Sequence, residues 1–216
     1  MGFFIVRPAG KLGEVNVSIY KNQAPIDPIA AIRIHRGEEP LPSVLTGIIH
    51  SGSKFTYDAM STSTVFPYIF SEKVFETLTS AGASGFQRLP FSLDSGNGTI
   101  DSYCVLSITG RSASIDLSKT KLTYLDPKYK SGPRIPAFLG AFFPEDSWDK
   151  SDVFLAGDYK HVFVSEKAAL ALTKAKLKNL DIVKAEDMEL ILSGSEVLST
   201  FGEKVHAELK NAGFIF

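Results

Sequence analysis

The sequence predicts an α+β protein with a mixed or largely antiparallel β-sheet and about three helices packed on it. About nine short segments rich in β-branched and aromatic residues are separated by glycine and proline, whereas three segments have helical periodicity. The 216 residues are 44% hydrophobic and 22% charged, as in ordinary globular proteins. We expect a single α+β domain over residues 1–216, with two related halves, about 1–100 and 101–216, as the alternative.

The first half of the chain consists mainly of predicted strands. These strands span residues 3–7, 15–20, 30–34, 44–50 and 63–70. Proline has no N–H to donate to a β-ladder. The segments around prolines 25, 28, 40 and 42 are therefore expected to be loops or edge strands.

A second group of predicted strands follows at residues 86–93, 103–109, 113–117 and 122–125. Between the first two of these strands, residues 94–98 contain two glycines that are able to adopt positive φ and close a hairpin. Residues 126–151 are rich in proline, glycine and aromatic residues and have neither period, so they predict a long irregular excursion.

Helices are predicted over residues 71–81, 165–176 and 195–211. The last begins at Ser195 as an N-cap and ends before Gly213. One apolar stripe runs along it, which predicts docking on the sheet, and consists of Val197, Leu198, Phe201, Val205 and Leu209.

An internal repeat is the strongest signal in the chain. Ser71-Glu-Lys recurs 94 residues later as Ser165-Glu-Lys, and both copies continue into Leu-Thr six residues after the Glu. Each serine is a natural N-cap, and each following glutamate lies where the helix dipole favours negative charge. Duplication would make residues 65–90 superpose on 159–184, and independent reuse of helix-start chemistry is the alternative.

Composition narrows the classes of partner. Lys plus Arg number 23 against 24 Asp plus Glu, so no strong global charge attracts nucleic acid or an anionic membrane. The single cysteine, Cys104, excludes an internal disulfide and fits a reducing cytosol. No apolar run approaches the ~20 residues of a membrane span, and no basic stretch of a signal peptide is visible. We expect a cytoplasmic protein, and the oligomeric state stays open.

Few residues predict catalysis. The four histidines lack the i, i+4 spacing of a local zinc site, and Gly47–Lys54 has lysine and serine in the wrong order for a phosphate loop. We therefore predict no metal and no cofactor. The alternative hypothesis is an enzyme of unrecognised type whose site the fold assembles from His50, Asp58, Cys104, Asp158 and His161.

An acidic segment surrounds the only tryptophan. Tryptophan anchors and neighbouring carboxylates are typical of surfaces that bind a basic protein. The candidate partner-binding residues are Glu145, Asp146, Trp148, Asp149 and Asp152. The alternative is a loop pinned by a buried Trp148.

The two Ser-Glu-Lys units, together with the opening strand over residues 3–8, resemble bacterial immunity proteins of polymorphic toxin systems. The resemblance covers about half of the chain and rests on helix starts. It implies a small cytoplasmic α+β protein without catalysis, which binds and neutralises a cognate protein toxin. No site residue of that family matches a motif here.

Overall fold

The structure is a computed structural model. It describes residues 2–10, 16–21, 24–38, 45–51, 57–62, 68–125, 135–157, 159, 161–191, 203–204 and 206–211. The described residues form an α+β fold with mixed sheets, as predicted. None of their helices has the length and apolar character needed to cross a membrane.

The chain order alternates strands with short helices. The elements up to residue 94 are β1 (Phe3–Pro8), β2 (Asn16–Lys21), β3 (Ala24–Pro25), α1 (Pro28–His35), β4 (Leu45–Ser51), β5 (Ala59–Thr62), β6 (Ile69–Ser71), α2 (Glu72–Ser80) and β7 (Phe86–Asp94). The later elements are β8 (Thr99–Ile108), β9 (Gly110–Ser112), β10 (Lys121–Leu125), β11 (Ile135–Leu139), β12 (Val153–Ala156), β13 (Val162–Ser165), α3 (Glu166–Lys174), β14 (Leu180–Lys184) and β15 (Glu189–Ile191).

Six strands close into a barrel in the order β2-β4-β7-β8-β6-β5, because β5 also pairs with β2. Apolar side chains fill this barrel, and α1 contributes Ala31 and Ile34 to them. The barrel interior requires glycine at position 47, because a Cβ there would lie 2.2 Å from the Phe91 ring and 2.7 Å from the Val17 side chain. The short strand β3, which contains Pro25, lies at the edge, as expected for a proline-containing strand.

A second sheet has the order β14-β1-β13-β12-β9, and β10-β11-β15 form a separate small sheet. The second sheet repeats the barrel order β7-β8-β6-β5-β2 strand for strand. Helices α2 and α3 pack against each other and share one apolar core. That core includes Val74, Phe75 and Leu78 of α2 and Ala168, Ala169 and Leu172 of α3.

The first strand of each half lies in the sheet of the other half. Strand β1 pairs with β13 and β14, more than 150 residues along the chain, whereas β8 pairs with β6 and β7. Helices α2 and α3 are offset by 94 residues, and so are the starts of β7 and β14. Strand, serine and helix therefore coincide in the two copies, and both serines occupy N-caps as predicted.

Residues 30–34 are helical in α1, so the predicted strand there is wrong. The Asp27 carboxylate accepts hydrogen bonds from the N–H groups of Ile29 (2.9 Å) and Ala30 (3.1 Å), and Pro28 begins the helix. An aspartate N-cap followed by proline is a helix start. Ala31 and Ile34 lie inward while Ile29 is exposed, which is a helical spacing.

The structure differs from two further predictions and confirms a third. Residues 113–117 form no strand, since Asp116 accepts from the Ser118 N–H and starts a 3-10 turn, Leu117–Lys119. The excursion over 126–151 is not wholly irregular, because β11 pairs with β10. The turn at 94–98 is confirmed: Asp94 pairs with Thr99 and the Ser95 N–H donates to the Gly98 carbonyl.

Two predicted segments lie partly outside the described residues. Residues 63–67 of the predicted strand 63–70 are among these, and Ile69–Ser71 form β6. In the predicted C-terminal helix, residues 195–202 lie outside, whereas 203–204 and 206–211 are helical. Leu209 is buried in the core formed with Ile5 and Phe163, as expected for a docked helix.

Candidate functional site

The acidic segment forms a fixed turn between β11 and β12, which we name the acidic turn (residues 145–152). It opens with a 3-10 turn, Glu145–Ser147. The Ser147 hydroxyl donates to the Pro144 carbonyl (2.6 Å) and accepts from the Ala113 N–H (3.1 Å). These bonds hold the start of the turn against the chain that follows β9.

Asp149 fixes the middle of the acidic turn. Its carboxylate accepts from the N–H groups of Arg111 (2.8 Å) and Ser151 (2.9 Å), and its own N–H donates to the Arg111 carbonyl. Partial burial opposes ionisation of Asp149, but the hydrogen bonds from Ser151 and Arg111 outweigh it and lower its pKa. The turn therefore carries a negative charge at neutral pH.

Trp148 points into the core. Its side chain is only 5% exposed, and its ring packs edge-on against Phe3 with 5.0 Å between ring centroids. The indole N–H donates to the Ser151 carbonyl (2.8 Å), and the Lys150 ammonium lies 5.0 Å from the ring centroid. The structure thus places Trp148 as the pin of the loop, which is the alternative that the sequence left open.

Asp152 is also buried. It accepts from the Ser165 hydroxyl (2.7 Å) and from the Ser84 N–H (3.1 Å), and it pairs with the Lys167 ammonium (2.8 Å). Burial raises the pKa of Asp152, yet the bonds from Lys167, Ser165 and Ser84 outweigh burial and lower it. Asp152 therefore joins the two helix-bearing units.

Of the five predicted partner-binding residues, Asp146 and Asp149 lie at the surface. The Glu145 side chain lies outside the described part of the chain. Trp148 and Asp152 instead fix the turn from below. The surface of the acidic turn therefore presents Asp146, Asp149 and Lys150.

The environment of Asp152 is repeated at Asp58. The Asp58 carboxylate accepts from the Ser71 hydroxyl (2.7 Å) and from the Lys178 N–H (2.6 Å). Each aspartate thus binds the serine of its own helix, 13 residues away, and a backbone N–H after the helix of the other copy. Sequence analysis missed this joint, although an aspartate stands 13 residues before each Ser-Glu-Lys.

The two serines differ in one contact. The Ser165 hydroxyl accepts from the Ala168 N–H (3.3 Å) while donating to Asp152. The Ser71 hydroxyl makes no capping bond and donates to Asp58 alone. Ser71 therefore serves the joint, whereas Ser165 serves both the joint and the helix.

The residues of the enzyme hypothesis lie on different elements. Asp58 precedes β5 and belongs to the joint with Ser71, Cys104 lies in β8, and the half-buried His161 immediately precedes β13. Asp158 and the His50 side chain lie outside the described residues.

Cys104 lies beneath a cavity next to α2. The Arg88 Nε is 3.1 Å from the Cys104 sulfur, and Arg88 also binds the Glu72 carboxylate. Burial raises the pKa of the Cys104 thiol, and the lowering by Arg88 does not compensate for it. Cys104 is therefore a protonated thiol at neutral pH and a poor nucleophile.

Among the described residues, no group of three or more histidine, cysteine, aspartate or glutamate side chains is placed to hold a metal ion. The chemistry of the acidic turn is that of carboxylates fixed at a surface.

No protein-family model matches this chain, and no curated protein sequence matches it significantly.

Proposed function

We propose that this chain is a non-catalytic protein of immunity type, which binds and neutralises a basic protein toxin through the acidic turn. One observation supports the proposal above the others. Asp146 and Asp149 are exposed on a turn whose backbone is bonded on both sides and whose centre is pinned by Trp148.

A fixed turn is suited to binding because little conformational entropy remains to be lost on association. Its charge complements a basic partner and accelerates encounter, which matters for a protein that must capture a toxin before the toxin acts. An interface of usual size covers about 800 Å² on each partner. The acidic turn and its surroundings are therefore sufficient, and no global charge is required.

The test is co-expression of this chain with each protein encoded beside its gene, in a bacterial host, followed by binding measurements on any toxin that it neutralises. Stopped-flow mixing of that toxin with Asp146→Lys should show an association rate at least about tenfold lower at low salt. Glu76→Lys is the matched control, because Glu76 is exposed on α2, away from both the acidic turn and the chain around residues 184–186.

Equal losses in the two variants would mean that net charge alone matters, and the acidic turn would not be the binding surface. Survival of the toxin's activity in every co-expression would overturn the proposed function itself. Neutralisation lost in Asp146→Lys and retained in Glu76→Lys is the supporting result.

A further inference from the structure

Two cavities of about 280 Å³ each lie at equivalent places in the two halves. One is lined by Glu72, Pro90, Phe91, Ser92, Tyr103 and Cys104, together with Arg88 and Asp101. The other is lined at the matching positions by Glu166, Lys184, Ala185, Glu186, Phe3 and Phe4. The match follows from the 94-residue offset and from the pairing of Tyr103 with Ser71 and of Phe3 with Ser165.

The second cavity, which we name the phenylalanine cavity, lies where the second sheet is not closed. In the barrel, β4 runs continuously against β7. In the second half, the N–H groups of Gly140 and Ala141 donate to the Met188 and Ala185 carbonyls, but these residues belong to no strand of the second sheet. Residues 141–143 and Gly2 complete the lining of the opening.

The two cavities have the same charge balance, since each is lined by two carboxylates and one cation, but the cation is placed differently. Beside Cys104, the Glu72 carboxylate is neutralised by Arg88. The residue at the Arg88 position in the second half is Ile182, so β14 supplies no arginine to the exposed Glu166. Lys184 pairs with Glu186 (3.3 Å). The cation therefore pairs with the helix-start glutamate in the first cavity but with Glu186 in the phenylalanine cavity, whose walls are aromatic and whose rim carries Glu166.

The cavity is continuous with the acidic turn. Phe143 lines it and is followed by Pro144 and the turn itself, and Phe3 packs on both Phe143 (4.7 Å) and Trp148 (5.0 Å). A partner attracted by the carboxylates of the turn therefore reaches the opening of the cavity. Charge complementarity favours the same kind of partner at both places.

Size indicates what the cavity accepts. A benzene ring fits an apolar cavity of about 150 Å³, whereas cofactors and drug-sized ligands occupy about 300 to 1,000 Å³. At about 280 Å³, the phenylalanine cavity is suited to one large apolar side chain. Such a side chain, buried at the centre of a polar rim, is the usual hot spot of a protein interface.

We propose that the phenylalanine cavity receives an aromatic side chain that is flanked by lysine or arginine in the partner, with Glu166 facing the cation. This inference rests on the proposed function, because the partner it describes is the basic toxin bound by the acidic turn. It adds the sequence character of the toxin segment that docks.

The test titrates the intact protein with acetyl-Arg-Phe-Arg-amide, and with the Arg-Ala-Arg and Glu-Phe-Glu peptides as comparisons. Binding is followed by amide chemical shifts and by the fluorescence of Trp148, the only tryptophan. The Arg-Phe-Arg peptide should saturate with a dissociation constant on the order of 1 mM and shift the Phe3, Phe4 and Phe142 amides. The other two peptides should bind at least about tenfold more weakly.

Gly2→Phe tests the location, because Gly2 lines the cavity and a Cβ there meets only the Phe4 ring, at 3.6 Å, without backbone clash. This variant should lose at least about 90% of peptide affinity, and the exposed hairpin variant Asn97→Phe should lose none. Glu166→Gln should keep the preference for Phe over Ala and reduce the preference for Arg over Glu. Unchanged circular dichroism establishes that each variant is folded.

Equal binding of the Phe and Ala peptides, or unchanged binding to Gly2→Phe, would overturn the cavity proposal. Because the peptide titration does not involve the toxin, its failure leaves the Asp146→Lys experiment standing. Conversely, peptide binding with no neutralised toxin would support the cavity and overturn the proposed function.

Discussion

The two halves of the molecule share one strand order but finish differently. In the first half, β4 joins β2 to β7 and closes a barrel. In the second half, no described strand joins β9 to β14, and aromatic side chains, including Phe3, Phe143 and Trp148, pack beside the open sheet. What the halves share is architecture, and what only the second half has is the better guide to function.

Asp152 belongs to the features that the two halves share, whereas Asp146 belongs to those that only the second half has. Asp152 has a counterpart in Asp58, with the same serine bond and the same kind of backbone donor. The residue 94 positions before Asp146 is Gly52, which has no side chain to offer. The acidic turn is therefore a property of the second half alone.

The largest expected effect is at Trp148, because aromatic side chains form the core beside the open edge of the second sheet. Trp148→Ala should lower the free energy of unfolding by about 3 to 5 kcal/mol, as for a large aromatic removed from a core. Urea unfolding measures the loss. Lys150→Ala, which removes only the cation over the ring, should cost about 0.5 to 1 kcal/mol. A Trp148→Ala loss below 1 kcal/mol would contradict the core position.

The joint between the halves gives the next effect. Asp152→Ala should cost about 2 to 4 kcal/mol, since it leaves the buried Ser165 hydroxyl and the Ser84 N–H without their acceptor. Asp58→Ala should cost nearly as much, because the half-exposed Lys167 adds little to Asp152. Chemical denaturation of both variants checks the equivalence. A loss confined to one variant would break the structural correspondence.

Acid should weaken the same joint. Because the pKa of Asp152 is lowered in the folded state, its contribution is present above the unfolded value of about 3.9 and lost as pH falls through the folded value. Melting temperatures between pH 6 and pH 2 should therefore fall less steeply in Asp152→Asn. Asp187→Asn, at an exposed position, is the control. Parallel curves for wild type and Asp152→Asn would exclude this linkage.

The smallest expected effect separates the two serines. Ser165→Ala should cost about 1 to 2 kcal/mol, because the hydroxyl both caps Ala168 and donates to Asp152. Ser71→Ala loses only the bond to Asp58 and should cost about 0.5 to 1.5 kcal/mol. Thermal and urea unfolding of the pair decide the order. A larger loss for Ser71→Ala would contradict the equivalence of the two serine–aspartate bonds.

Local features were predictable from sequence. The helix starts at Ser71 and Ser165 and the hairpin at 94–98 depend on neighbouring residues, and the structure has all three where the sequence indicates them. Helix α1 was predictable in principle from Asp27-Pro28. A mainly apolar segment of five residues, such as 30–34, is ambiguous between strand and helix unless its cap is recognised.

Long-range features were not predictable. The joint requires knowing that Ser84 and Lys178 approach the aspartate of the opposite copy, 68 and 120 residues away. The composition around Trp148 fits an exposed anchor as well as a buried pin. Only the approach of Phe3, from the opposite end of the chain, decides between them.

The exchange of first strands has a consequence during synthesis. Strand β1 leaves the ribosome before its partner residues Val162–Ser165, which follow more than 150 residues later. At about 5 to 20 residues per second, β1 waits roughly 8 to 30 s with Ile5 and Val6 exposed. All strands of the barrel have been synthesised once β8 is complete, so the barrel is able to close before the second sheet forms. Until the second sheet forms, the unpaired backbone edge of β1 must be kept from pairing with other strands.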